Sequence, residues 1–106
     1  MFKHISANEL KDKIANEPVK IVDIRDPNSY HSGHISQAKL LDNSNVGDFI
    51  ANTNPDDTVV VCCYHGNSSQ GAAQFLAEQG LKNVYSLDGG FEMWKVIHPE
   101  LVESHL

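Results

Sequence analysis

Thr58-Val59-Val60-Val61-Cys62-Cys63-Tyr64-His65-Gly66-Asn67-Ser68-Ser69 is the most informative stretch of this chain. Its first half is an unbroken apolar run centred on three valines. Such a run lacks the alternation of a half-exposed strand and reads as a central strand buried on both faces. Its second half is polar, contains one glycine, and leads at once into a helical pattern. The strand is expected over Thr58 to Cys63 and the helix from Ser68 to Gln79, with Ala72, Phe75 and Leu76 as its face and Gly80 as its stop.

On either side of this stretch, strand and helix patterns alternate. Upstream, Ser6 with Glu9 forms a capping-box signal, and Ala7, Leu10 and Ile14 mark one face of a helix. Val19 to Ile24 reads as a strand. Asp26-Pro27 opens a short helix, with Asp26 as cap and proline at the first helical position, and Gly33-His34-Ile35 ends it. Ala38 to Leu41 reads as a short strand, and Val46, Phe49 and Ile50 as a helix that stops before Asn54-Pro55. Downstream, Val84 to Leu87 is a strand. Gly89-Gly90 then turns into a helix through Phe91, Trp94 and Ile97, which His98-Pro99 ends. This alternation implies an α/β domain with a mostly parallel sheet and helices on both faces. Sheets of this kind bind ligands where strand ends lead into helices. That points to the end of the Thr58 run.

The 106 residues suffice for one domain, assigned to 1–106 with its core at about 17–105. A formal net charge of −6 argues against nucleic acid or an anionic membrane surface as partner. No apolar run approaches the roughly 20 residues that cross a bilayer. Met1 to Ile5 lack the apolar core of a signal peptide, so a cytoplasmic location is expected. Cys62 and Cys63 are adjacent, and a bridge between them would close a strained ring, so two thiols are expected.

Neighbouring residues on a strand point to opposite faces. Cys62 still lies inside the apolar run and should be buried, protonated and inert. Cys63 lies where the strand ends and the loop begins. If the loop curls around its sulfur, successive N–H groups form an anion nest, and the following helix adds about half a positive charge from its N-terminus. Both favour thiolate. An unperturbed cysteine of pKa near 8.5 is only about 3% ionised at pH 7, and a fall of about two units, worth about 2.7 kcal/mol, makes it mostly thiolate. A nucleophile then exists without a separate general base.

Cys63 to Ser69 is similar to the active loop of the single-domain rhodaneses, in particular the GlpE-type thiosulfate sulfurtransferases. Val22-Asp23-Ile24-Arg25-Asp26, followed by Tyr30, Gly33-His34-Ile35 and Ala38, is similar to that family's first signature. Asp88-Gly89-Gly90-Phe91 through Trp94 is similar to its closing signature. The resemblance covers nearly the whole chain. It implies a single-domain rhodanese fold with a five-stranded sheet, and a ping-pong reaction without cofactor. In that reaction Cys63 takes the sulfane sulfur of thiosulfate, sulfite leaves, and the persulfide passes its sulfur to cyanide, a small thiol or a thioredoxin-like dithiol. It also implies that Tyr64, His65, Gly66, Asn67 and Ser68 hold the substrate. Many relatives carry an arginine or lysine in the loop. Here His65 is the only loop residue that can become cationic, so weak thiosulfate affinity is expected.

Other residues read more plainly. Arg25, the only arginine, is expected to form a structural ion pair with Asp23 or Asp26. His34 is expected to be a hydrogen-bonded turn residue, and Trp94 core. Gly89-Gly90 should allow close backbone approach to the loop. Cys62, Cys63 and His65 make no metal site, because adjacent ligands on a strand diverge. A Cys-x5-Arg phosphatase would need an arginine at position 69, which is Ser69. Two functional alternatives use the same residues: a persulfide carrier in a sulfur relay, and a non-catalytic binding module. Whether the chain is a monomer or a weak dimer is left open by the sequence.

Overall fold

The computed structural model describes residues 1–105. Its strands are β1 (Lys3–Ile5), β2 (Lys20–Asp23), β3 (His34–Ile35), β4 (Lys39–Leu40), β5 (Thr58–Cys62), β6 (Asn83–Leu87) and β7 (Val102–Glu103). Its helices are α1 (Ala7–Asn16), α2 (Pro27–Ser32), α3 (Val46–Ala51), α4 (Ser68–Glu78) and α5 (Gly90–Ile97), with a 3-10 turn at Pro99–Leu101. Five strands form one sheet in the order β1-β6-β5-β2-β4, and every pairing in it is parallel. The valine run is its middle strand. Val59, Val60 and Val61 have no solvent exposure, each burial contributing about 1.5–3 kcal/mol.

The pleat divides the core in two. On one face Val60, Cys62, Ile21 and Leu87 meet Leu10 of α1 and Phe91 and Trp94 of α5. On the other, Val59, Val61, Val22 and Val84 meet Ala73 and Leu76 of α4, with Val46, Phe49 and Ile50 of α3 packed against them. Local chemistry sets the helix starts. Ser6 accepts from Glu9 N at 3.1 Å while Glu9 Oε1 accepts from Ser6 N at 2.9 Å, completing the capping box. Asp26 accepts from Ser29 N at 3.0 Å and caps α2 ahead of Pro27.

Several expectations are corrected. The buried face of α4 is Ser69, Ala73 and Leu76, whereas Phe75 is 45% exposed. The helix is rotated so that Ser69, Ala73 and Leu76 meet the sheet, and Phe75 lies off that face. Ile97 is likewise 43% exposed, at the end of α5, while Trp94 is fully buried and its indole N–H donates to Leu101 O at 3.2 Å. β1 was not expected, and neither was the antiparallel pair β3–β7. The core takes in Ile5, Ala7 and Leu10, upstream of the segment 17–105. Among the described residues no helix is long and apolar enough to cross a membrane.

Candidate active site

β5 delivers the two cysteines to different surroundings. Cys62 belongs to the α1/α5 core, and burial, with the Asp23 carboxylate nearby, pushes its thiol well above the ordinary cysteine range. Cys63 falls two positions beyond Val61 and so turns toward the N-terminus of α4. Its sulfur accepts from Gly66 N at 3.2 Å and from Ser69 N at 3.3 Å. Burial opposes ionisation of Cys63. Hydrogen bonds from the Ser69 hydroxyl and N–H, and from the N–H groups of Gly66 and His65, outweigh it and hold the thiol below its ordinary value.

The loop is fastened on three sides. Phe91 N donates to Cys63 O at 2.8 Å and Glu92 N to Tyr64 O at 3.1 Å, so the first turn of α5 binds the loop carbonyls. This approach requires glycine at position 90, where a Cβ would lie 2.5 Å from Cys63 O and Tyr64 O. Gly66 has φ +89, and a Cβ there would lie 2.9 Å from Gly89 N. On the α4 side, Gln70 Nε2 donates to Gly66 O at 2.9 Å. On the third side, the Tyr64 hydroxyl donates to the Asp26 carboxylate and lies 2.8 Å from Ser29 Oγ. That bond from Tyr64, with those from the Ser29 N–H and hydroxyl, lowers Asp26 to a pKa of about 2.

Arg25 lies beneath this third side. Its guanidinium donates to Asp23 through Nη2 at 2.7 Å and through Nε at 3.0 Å, and Nη2 also donates to Gly33 O at 2.7 Å. Asp23 and not Asp26 is therefore its partner. The buried guanidinium also lies over the Phe91 ring, 4.2 Å from its centroid. It braces the strand end and its charge is already matched. Arg25, Ser29, Tyr64, Phe91, Glu92 and Lys95 line an open groove of about 430 Å³ beside the loop. His34 lies in β3 and not in a turn, with Nδ1 2.8 Å from Tyr30 O.

The residues expected to hold substrate separate by role. Among Tyr64 to Ser68, Gly66 N makes a hydrogen bond of standard geometry to the sulfur, and His65 N adds to the field around it. His65, Asn67 and Ser68 are exposed around the loop, and the Tyr64 side chain turns to α2. Ser69 was not anticipated as part of the site. Its signal was its place in the first turn of the helix after the nucleophile, where a free N–H is available. What the arrangement can do is hold an anionic sulfur in a shell of neutral donors.

The model of the rhodanese-like domain matches residues 6–96. A thiosulfate sulfurtransferase GlpE from Pseudoalteromonas translucida is 48% identical over 102 residues, covering 96% of this chain and 97% of that protein. A protein of the same name from Shewanella oneidensis is 54% identical over 93 residues, covering 88% and 92%. Among solved structures, a rhodanese-like domain protein from Staphylococcus aureus superposes with a TM-score of 0.77 at 29% identity, covering 88% of this chain and 91% of that one. The family match spans most of the chain and the relatives are covered almost end to end, so the chain belongs to the rhodanese-like domain family.

Proposed function

We propose that this chain is a thiosulfate sulfurtransferase that carries sulfur on Cys63. The observation that carries the reading is the Cys63 sulfur at the end of β5, receiving N–H groups from Gly66 and Ser69. The Cys63 thiolate attacks the outer sulfur of thiosulfate. The new S–S bond takes the nucleophile's electron pair, and the old S–S bond leaves with sulfite. Cys63 then holds a persulfide whose terminal sulfur is anionic. In the second half-reaction cyanide or a thiolate attacks that sulfur, and Cys63 leaves as thiolate. With cyanide the product is thiocyanate. Each half-reaction moves negative charge along a line of sulfurs, so fixed N–H donors act on charge as it develops. One such donor is typically worth about 3 kcal/mol in the transition state.

The reading is tested by separating the half-reactions. Incubation with thiosulfate alone is expected to add one sulfur to the mass of the protein and to release sulfite. Steady-state rates with both substrates are expected to give the parallel-line pattern of double displacement. Sulfite that appears only when the acceptor is also present would rule the mechanism out.

A further inference from the structure

Ser86 occupies an unusual place for a hydroxyl. It lies on β6 in register with Val61 and two residues beyond Val84, and thus on the α4 face of the sheet. The face around it is largely apolar: Val59, Val61 and Val84 are at most 1% exposed, and Ser86 itself is fully buried. Burying a hydroxyl in such a face contributes little net stability even when it is paired. Its partner is Ser69, also fully buried, with Ser86 Oγ 2.7 Å from Ser69 Oγ. Ser69 in turn is the residue whose N–H reaches the Cys63 sulfur at 3.3 Å.

The contact anchors the start of α4 to the sheet. Among the described residues, the Ser86 hydroxyl makes a hydrogen bond to Ser69 alone. Buried hydroxyls need a partner, so each serine fixes the side chain of the other. The bond that holds Ser69 Oγ therefore also sets where the Ser69 N–H points, and that N–H meets the Cys63 sulfur.

We propose that Ser86 is a positioning residue for sulfur transfer: its hydroxyl holds the Ser69 side chain at the start of α4 and so keeps the Ser69 N–H on the sulfur carried by Cys63. The proposal rests on the reading of Cys63 as the sulfur carrier. The site then extends across the sheet from the loop to β6.

A double-mutant cycle on the full chain tests this. The readouts are the pH profile of Cys63 alkylation by iodoacetamide and the rate of sulfur transfer. Ser86→Ala is expected to move the alkylation midpoint up by about 0.5 to 1 pH unit and to lower kcat by about three- to tenfold, with a smaller change in KM. Ser69→Ala is expected to do at least as much, and adding Ser86→Ala to it should change nothing further. Ser86→Thr keeps the hydroxyl and should hold the wild-type midpoint. An unchanged midpoint in Ser86→Ala, additive effects in the double variant, or a Ser86→Thr midpoint equal to that of Ser86→Ala would each overturn the proposal. If Cys63→Ser still accepts sulfur from thiosulfate, the carrier reading fails. The alkylation cycle reads the Cys63 thiol directly and judges the contact between Ser69 and Ser86 independently of that result.

Discussion

Cys62 and Cys63 share a peptide bond and little else. One is held protonated by an apolar core, and the other is drawn toward thiolate by the donors of a loop and a helix start. Cys63→Ser is therefore expected to abolish persulfide formation, as read by intact mass after thiosulfate treatment. Cys62→Ala should keep most of the activity and lose about 1 kcal/mol of stability in urea unfolding, since it removes only one small buried group. Iodoacetamide at neutral pH should label Cys63 first. His65 presents a different case, because it is exposed and is the only loop side chain that can carry positive charge. His65→Ala is expected to raise the KM for thiosulfate by about threefold with a smaller effect on kcat, and His65→Arg to lower KM. Equal KM values in all three proteins would make His65 a bystander. The different surroundings of the two cysteines were legible in the sequence, because strand alternation and the end of an apolar run are both local facts. The parts of Ser69 and Ser86 were not. Ser69 reaches the sulfur only once α4 has its orientation, and Ser86 is brought to Ser69 by a strand pairing that spans the chain.

The loop and α5 hold each other in place. The carbonyls of Cys63 and Tyr64 need donors, and the first N–H groups of α5 need acceptors, so each end satisfies the other. Gly90→Ala places a Cβ against that seam, at a residue with φ +59. It is expected to cost on the order of 1–3 kcal/mol in unfolding free energy and to lower sulfur transfer at least about tenfold, because the loop must move to make room. Normal activity with normal stability would show that the seam can open freely. The glycine pair could be read as a place of close approach because two glycines at a strand-to-helix turn have few other uses. The middle of the sheet was legible for a similar reason: Val59 to Val61 can hardly be anything but a buried strand. The edges were not. Lys3–Ile5 exposes two of its three residues and has no alternation to notice, and β3 and β7 are two residues each, defined by pairing alone. The face of α4 was misjudged because Phe75 is the largest apolar residue in the helix, whereas close packing on the sheet selects Ser69 and Ala73.

Ionisation of the Cys63 thiol is coupled to the stability of the whole chain. The folded-state pKa of Cys63 is depressed, so its contribution is fully present above the unfolded value, near 8.5, and is lost as pH falls through the folded value. Cys62 has the opposite sign: its contribution is present below the unfolded value and is lost as pH rises above the folded one. Comparison with Cys63→Ser cancels the Cys62 contribution. The stability of the wild type relative to Cys63→Ser is thus expected to rise with pH from the folded value of Cys63 up to the unfolded one, measured by urea unfolding at each pH. A flat difference would mean that the loop does not favour the thiolate. The division of the two sulfurs between opposite sides of the sheet also has a bearing on how long a cargo stays aboard. Many thiol enzymes carry a second thiol that unloads the first from within. Here the neighbouring thiol faces the other core, behind the backbone of β5, and cannot come round without unfolding the strand. In the proposed reaction a loaded Cys63 therefore has no internal route of discharge. Its sulfur waits for a molecule from outside, and the lifetime of the loaded form is set by how often such a molecule arrives.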